Sequence, residues 1–504
     1  MLNLTQKKLK KHLPLIILSV FGSLLIFMGI ANHYFFRTNA FDYGSYVFAF
    51  WDYSHFKISY STLIRCMFIQ DHYSYTLMYF VPVYWLLNWI TGTYTLIIIQ
   101  NTMTVIAGWY TYKLILLKSK DSYLAIAGLL YFFFIIGRYT PFGSDCNIAV
   151  IASCFVPIFL YLYETRKYYY AAFVFALLLF SRENIPLWFI FIFIVLLIDH
   201  IKERKLVLFN IGGIIVSILF FIFLFKVLIP SVETPDKPYT LFNYSALGNS
   251  PGEALKFILS HPIDTIRLFF VNHLPDPQLD GLKAEFYWVY LLSGGFVLFL
   301  RPQYLIWFIP LLAQKMLNDS FYRWGISIYY TIEIVILLPI AVFYIIARIK
   351  NLRLKYILAV TVCFITLGVT FYKLEPTHNK FTYTMPPEKQ QIYSPDFFKS
   401  EFNITKVNEL LNIIPKDAAV SATNHIIPHL AQRKDIYFFP IIEHAEYLVL
   451  SLKDHNFMLT KEDERKELLK YLNSPYWEII TQEDSVILLK KSYNPVNKEK
   501  KWVF

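Results

Sequence analysis

Apolar and polar positions in this chain come in long blocks rather than in alternation. A basic start carrying Lys7, Lys8, Lys10 and Lys11 gives way to an apolar stretch that runs to Asn32. Further apolar runs occupy 74–90, 92–117, 121–137, 146–163, 168–181, 186–199, 206–230, 284–300, 303–316, 331–348 and 352–372. Such runs predict membrane-crossing helices. The first is too long for a signal-peptide core and shows no clear small-residue cleavage site, so it reads as an uncleaved span.

Run 74–90 decides the topology. If it lies along the surface, the clusters Lys113/Lys118/Lys120, Arg166/Lys167, Lys202/Arg204/Lys205, Arg301 and Arg348/Lys350/Arg353/Lys355 all share the side of the N-terminal lysines. The positive-inside rule favours that arrangement. It predicts an all-α polytopic bundle of eleven spans, with the N-terminus cytoplasmic and long outer loops at 32–91 and 231–283. The runs 168–181 and 186–199 are short for about 30 Å of hydrocarbon. The turn Ser181–Pro186 between them is therefore expected to sit below the outer membrane plane, walled by protein or a wet cavity.

The pattern changes near 374. Val407–Ile414 predicts an amphipathic helix. Ala418–Ala422, Ile436–Phe439 and Tyr447–Leu452 predict strands. Thr460 predicts the cap of a charged helix to Leu472, and Trp477–Ile480 with Val486–Leu489 predicts a hairpin. The expected organisation is a transmembrane domain, 1–373, followed by an extracytoplasmic α/β domain, 374–504.

Composition supports this reading. Hydrophobic residues are 56% of the chain and charged residues 16%, against about 25% charged in soluble domains. The net charge of +11 arises in 1–373, and no basic stripe suggests nucleic acid. Four cysteines make neither a disulfide scaffold nor a metal-ligand spacing.

Candidate chemistry gathers at the outer ends of the runs. Asp42 and Asp71 are candidate general bases, each weighed against a solvated loop acid. His72, Arg138, Asp145, Arg182, Glu183 and Arg323 are candidate substrate ligands. Arginine suits a lipid phosphate because its fork binds two phosphate oxygens, while snorkelling is the blander role for any single one. Glu333 is an intramembrane acid. The chemistry requires no cofactor. Asp42, Asp71 and His72 are donor types that suit a divalent cation, which nothing in the pattern demands.

Phe41–Lys57, then His72-Tyr73-Ser74 through Val81-Pro82-Val83-Tyr84-Trp85, resembles a family of predicted bacterial membrane proteins known as domain of unknown function 2079. Ser144-Asp145-Cys146-Asn147 stands where that family shows an Asp-Phe-His-like motif, and Arg182-Glu183-Asn184 stands for a Lys-Glu-Asp-like turn. Pro415–Ser421 and Pro428–Arg433 correspond to its tail motifs. The family in turn resembles the GT-C glycosyltransferase superfamily. The resemblance implies a bacterial cytoplasmic-membrane enzyme with a catalytic Asp in the first outer loop, here Asp42, which would deprotonate or orient the acceptor hydroxyl. It would move a sugar from a polyprenyl-phosphate donor to a glycan, lipid or protein acceptor by an inverting displacement. The rivals are a transporter or flippase of a lipid-linked glycan and a non-catalytic membrane scaffold.

Overall fold

The computed structural model describes residues 2–71, 73–234, 242–380, 386–454, 459–496 and 502, with side chains from His12 onward. Among the described residues four helices are long and apolar enough to cross a bilayer: His12–Tyr34, Val81–Ser119, Arg204–Val232 and Leu352–Leu374. A fifth results if Ser122–Phe134 and Ile136–Ser144, bent by 66°, count as one. The eleven apolar runs therefore do not yield eleven helices of crossing length. Run 284–300 breaks at Gly294, whose φ of +97° no helix accommodates, and run 303–316 is 3-10 helical up to Phe308. Pro302 and Pro310 lie at the starts of the two pieces of the second run, where a missing N–H costs least.

The long helices Arg204–Val232 and Leu352–Leu374 expose most of their apolar surface. By contrast, Ile332–Ala347 is apolar on all sides and almost wholly buried, which makes it the centre of the bundle. Segment 74–90 forms two short pieces, Thr76–Tyr79 and Val81–Thr91. Eleven residues in the second rise only about 16 Å. Gly92, with φ +51° and ψ −132°, separates it from the rod Thr95–Ser119.

The connections sort to two ends. At one end Lys118 pairs with Glu164 at 2.6 Å, Arg166 with Glu203 at 2.6 Å and Arg348 with Asp199 at 3.6 Å. Gln303 donates to Asp199 and Tyr356 to Asp121 at the same end. These are the basic connections of the sequence, now bonded to one another. The turn 180–184, the start of Ile332–Ala347 and the loop before Trp324 meet at the other end.

In the tail a five-stranded mixed sheet runs in the order Ile436–Phe438, Val420–Ala422, Tyr447–Ser451, Val486–Lys491, Trp477–Glu483. The first three strands are parallel and the last two join antiparallel. All five strands, and the helix Lys461–Leu472 capped by Thr460, lie where the alternation predicts them.

The tail is held on the bundle by polar contacts. Arg37 donates to the carbonyls of Glu388, Phe397 and Lys399, filling acceptors that the 3-10 turn Pro395–Phe398 leaves open. Lys389 forms a buried 2.7 Å ion pair with Asp145, whose other oxygen accepts from the Asn39 N–H and side-chain amide. Asn424 continues the chain of bonds to Asn39 and Ala40. Gly44 makes room for this contact, since a Cβ there would meet Ile427 at 2.8 Å.

Two predictions follow from this seam. Lys389→Ala leaves a buried carboxylate unpaired, which costs about 3–5 kcal/mol. Its melting temperature should fall and protease should release the tail, while Asp145→Asn/Lys389→Met should recover most of the loss. His429 stacks on His33 at 4.0 Å and on Phe36 at 3.9 Å, and burial next to His425 pushes its pKa down to about 3. A depressed histidine favours the fold at neutral pH, and that contribution shrinks as pH falls below about 6.5 toward the folded value. Tail protection from protease should therefore weaken between pH 7 and 5 and weaken less in His429→Leu.

Candidate functional site

Asp42 lies in the π-helical turn Ala40–Gly44, one turn before Tyr46 in the helix Ser45–Ser54. Four residues apart on one helical path, the two side chains share a face. Tyr46 is 4% exposed, and its hydroxyl accepts from Asn147 Nδ2 at 3.0 Å. Burial, then the Asp42 carboxylate, push the phenol well above its ordinary pKa; Arg182 acts in the opposite sense and Asp71 adds to the rise. Asp42, Asp71 and Arg182, far apart in sequence, are thus within electrostatic reach of one hydroxyl. Asn147, which stands where the resemblance has histidine, fixes that hydroxyl and is itself held by Gln100 through its N–H at 2.8 Å.

Arg182 projects from the turn between the helices Tyr168–Leu179 and Ile185–Asp199. It is mostly buried, 3.7 Å from Glu183 and 3.5 Å from Glu333. Glu333 occupies the first turn of Ile332–Ala347, where the helix dipole favours a carboxylate. Asn184 donates to Gln314 at 3.2 Å and to Glu333 at 3.4 Å.

These groups enclose a cavity of about 40 Å³ that Lys315 and Arg323 also line. Among the described residues Lys315 donates to the Gly325 carbonyl alone, at 3.3 Å, and lies 5.0 Å from the centre of the Phe286 ring. The Arg323 guanidinium sits 5.3 Å from the centre of the Tyr330 ring. Nε of Arg182, Nε of Arg323 and Oδ1 of Asn184 are buried with no hydrogen-bond partner. Each such group costs about 1–3 kcal/mol. Two unused guanidinium donors beside an under-used lysine make a site that can accept an anion. The volume suits one or two waters, so a larger ligand requires Arg323 and Tyr330 to move aside.

Arg182 and Arg323 line the cavity and Glu183 pairs with Arg182, while Asp42 and Asp71 reach this group only through their electrostatic effect on Tyr46, which Arg182 also influences. The lining does not include Arg138 or Asp145. Arg138 was expected at the membrane surface as a phosphate ligand, but it is buried and bonds two carbonyls, Phe132 and Val335, each at 3.2 Å. The second needs a donor because Pro339, four residues on, has no N–H to give. The first sits where Ser122–Phe134 breaks at the extended residue Ile135. Asp145 is turned to the tail instead, with Lys389 on one oxygen and Asn39 on the other. His72 lies outside the described residues. Among the described residues no three His, Cys, Asp or Glu side chains converge as a metal site would require.

Sequence reasoning missed Tyr46, Gln314 and Lys315. Lys315 had a signal, as a lone cation inside an apolar run. Tyr46 had only its spacing from Asp42.

Residues 32–488 match a family model described as "Predicted membrane protein (DUF2079)", which spans the bundle, the cavity and most of the tail sheet. The chain belongs to this family. No curated protein matches it. The family's tail motifs have a structural role here. Arg433, at the end of the second, donates to the Ala418 carbonyl within the first at 3.0 Å, and His429 in the second stacks on the bundle's His33.

Arg138→Met should lower the melting temperature, because two buried carbonyls lose their donor at about 1–3 kcal/mol each. If the Arg182 cavity takes up inorganic phosphate in a titration, that binding should be unchanged. Lost binding at an unchanged melting temperature would put Arg138 back in the site.

Proposed function

We propose that this chain is an integral-membrane glycosyltransferase of GT-C type that takes a sugar from a polyprenyl phosphate. The observation that carries the reading is a cavity lined by Arg182, Lys315 and Arg323 with two spare guanidinium donors; the influence of both Asp42 and Arg182 on Tyr46 supports it. Asp42 takes the proton of an acceptor hydroxyl. That oxygen attacks the anomeric carbon from the face opposite the phosphate, and the bond from the anomeric carbon to the phosphate oxygen breaks with inversion. The electron pair leaves with the polyprenyl phosphate. This leaving group needs charge neutralisation more than a proton, and Arg182, Lys315 and Arg323 supply it. Glu183 and Glu333 hold Arg182 in place. Asp71 is the reserve base, and Asp42 with Asp71 is where a divalent cation would bind if one takes part.

The same reading sets the protein in a bacterial cytoplasmic membrane, with the basic end cytoplasmic and the cavity and tail outside. Eleven crossings are supported by the way successive connections alternate between the ion-paired basic end and the Arg182 end. Short helices such as Tyr168–Leu179 then cross within the protein, where the bundle replaces lipid around them. A transporter would need a path open to both ends, whereas this cavity is small and lies at the Arg182 end.

The test uses purified protein in nanodiscs with a panel of polyprenyl-phosphate sugars, following release of polyprenyl phosphate. Asp42→Asn should bind a short-chain polyprenyl phosphate as the parent does but release product at least a hundredfold more slowly, the low end of what a general base contributes. Arg182→Gln should weaken that binding at least tenfold, about 1.4 kcal/mol. Unchanged turnover in Asp42→Asn would remove the assignment.

A further inference from the structure

The second long loop carries a pattern that the proposed function does not use. Its helices Pro251–Ser260 and Pro262–Leu268 are separated by His261 at φ −129°, ψ 60°. The longer rises about 15 Å, half of what a crossing needs. Three faces run along the pair. Ala254, Phe257, Leu268 and Phe269 pack on Ala313 and Leu317. A second face, Leu255, Leu259, Ile263, Ile266 and Phe270, is apolar yet 59–80% exposed. A third, Glu253, Lys256, Ser260, Asp264 and Arg267, is polar and exposed. A helix in water has no use for the second face, and a helix deep in hydrocarbon has no use for the third. Both are satisfied only at a boundary between the two media.

The apolar face also continues onto surface that already meets lipid. Phe270 packs against Tyr287 at 5.1 Å, and the Tyr287 hydroxyl donates to the Phe269 carbonyl at 3.2 Å. The exposed Trp288 follows, on the helix Leu282–Leu292. That helix packs on the crossing helix Leu352–Leu374, whose Phe364 and Phe371 are exposed.

We infer that 251–271 is an in-plane membrane anchor, with the Leu255–Phe270 stripe seated among the acyl chains of the leaflet on the cavity's side. Its seat on Ala313 and Leu317 brackets Gln314 and Lys315, so the anchor fixes the cavity wall relative to the lipid surface. The inference stands whether or not the chain transfers sugar.

Single cysteines at Leu259, Ile263, Lys256 and Asp264 test it in the full chain in nanodiscs. The native cysteines are all buried, so a spin label goes to the introduced thiol at an exposed position. Labels at 259 and 263 should be reached by oxygen and shielded from a water-soluble nickel chelate, with an oxygen-to-nickel ratio several-fold above that at 256 and 264. Equal nickel access at all four positions would place the loop in water. Exclusion of both reagents at 259 and 263 would mean protein, such as a second copy of the chain, covers the stripe. Either result overturns the inference.

Discussion

A guanidinium shut away from bulk water needs partners that replace its hydration, and Arg182 has two carboxylates. One is its chain neighbour, Glu183. The other, Glu333, starts the central helix 151 positions later. Holding both pairs forces the turn 180–184, the piece Ile309–Met316 and the first turn of Ile332–Ala347 to one point. Removing one partner of a buried pair costs about 3–5 kcal/mol, more than a typical single contact contributes. The convergence leaves unused donors, and these are what make the place a site rather than a strut.

The contrast with the neighbouring charges shows why burial alone does not identify function. Arg138 and Asp145 are more deeply buried than Arg182 and are held by fixed structural partners, although Nη1 of Arg138 also has no hydrogen-bond partner. Arg138 repairs a helix that Pro339 leaves short of a donor. Asp145 ties the bundle to the tail. Arg182 and Arg323 keep donors in reserve. What sets them apart from Arg138, which also has one unpartnered donor, is that they line one cavity together with Lys315, and no count of charged residues at helix ends expresses that.

This explains what the sequence made legible. The tail strands were readable because alternation and turn residues are local, and the strand Tyr447–Ser451 needs no knowledge of the bundle to be recognised. The crossing helices at either end of the membrane part were readable for the same reason. The inner runs were not, because Gly294 and the prolines at 302 and 310 set local breaks whose outcome depends on neighbouring helices. Arg182 and Arg323, both candidates from the sequence, line one cavity, and Glu183 pairs with Arg182. The fate of Arg138 did not match expectation, since it is settled by a proline 201 positions away that frees one carbonyl. Tyr46, the hydroxyl on which the two acids and the arginine converge, resembled any other aromatic of a chain with 38 tyrosines.

Cryo-electron microscopy of the full chain in nanodiscs with a short-chain polyprenyl phosphate would locate the headgroup. The phosphorus should lie among Arg182, Lys315 and Arg323, with Arg323 and Tyr330 displaced and Asp42 facing the same opening. A headgroup bound elsewhere, with the Arg182 cavity closed and unchanged, would contradict an anion site there and leave the buried arginine as structure alone.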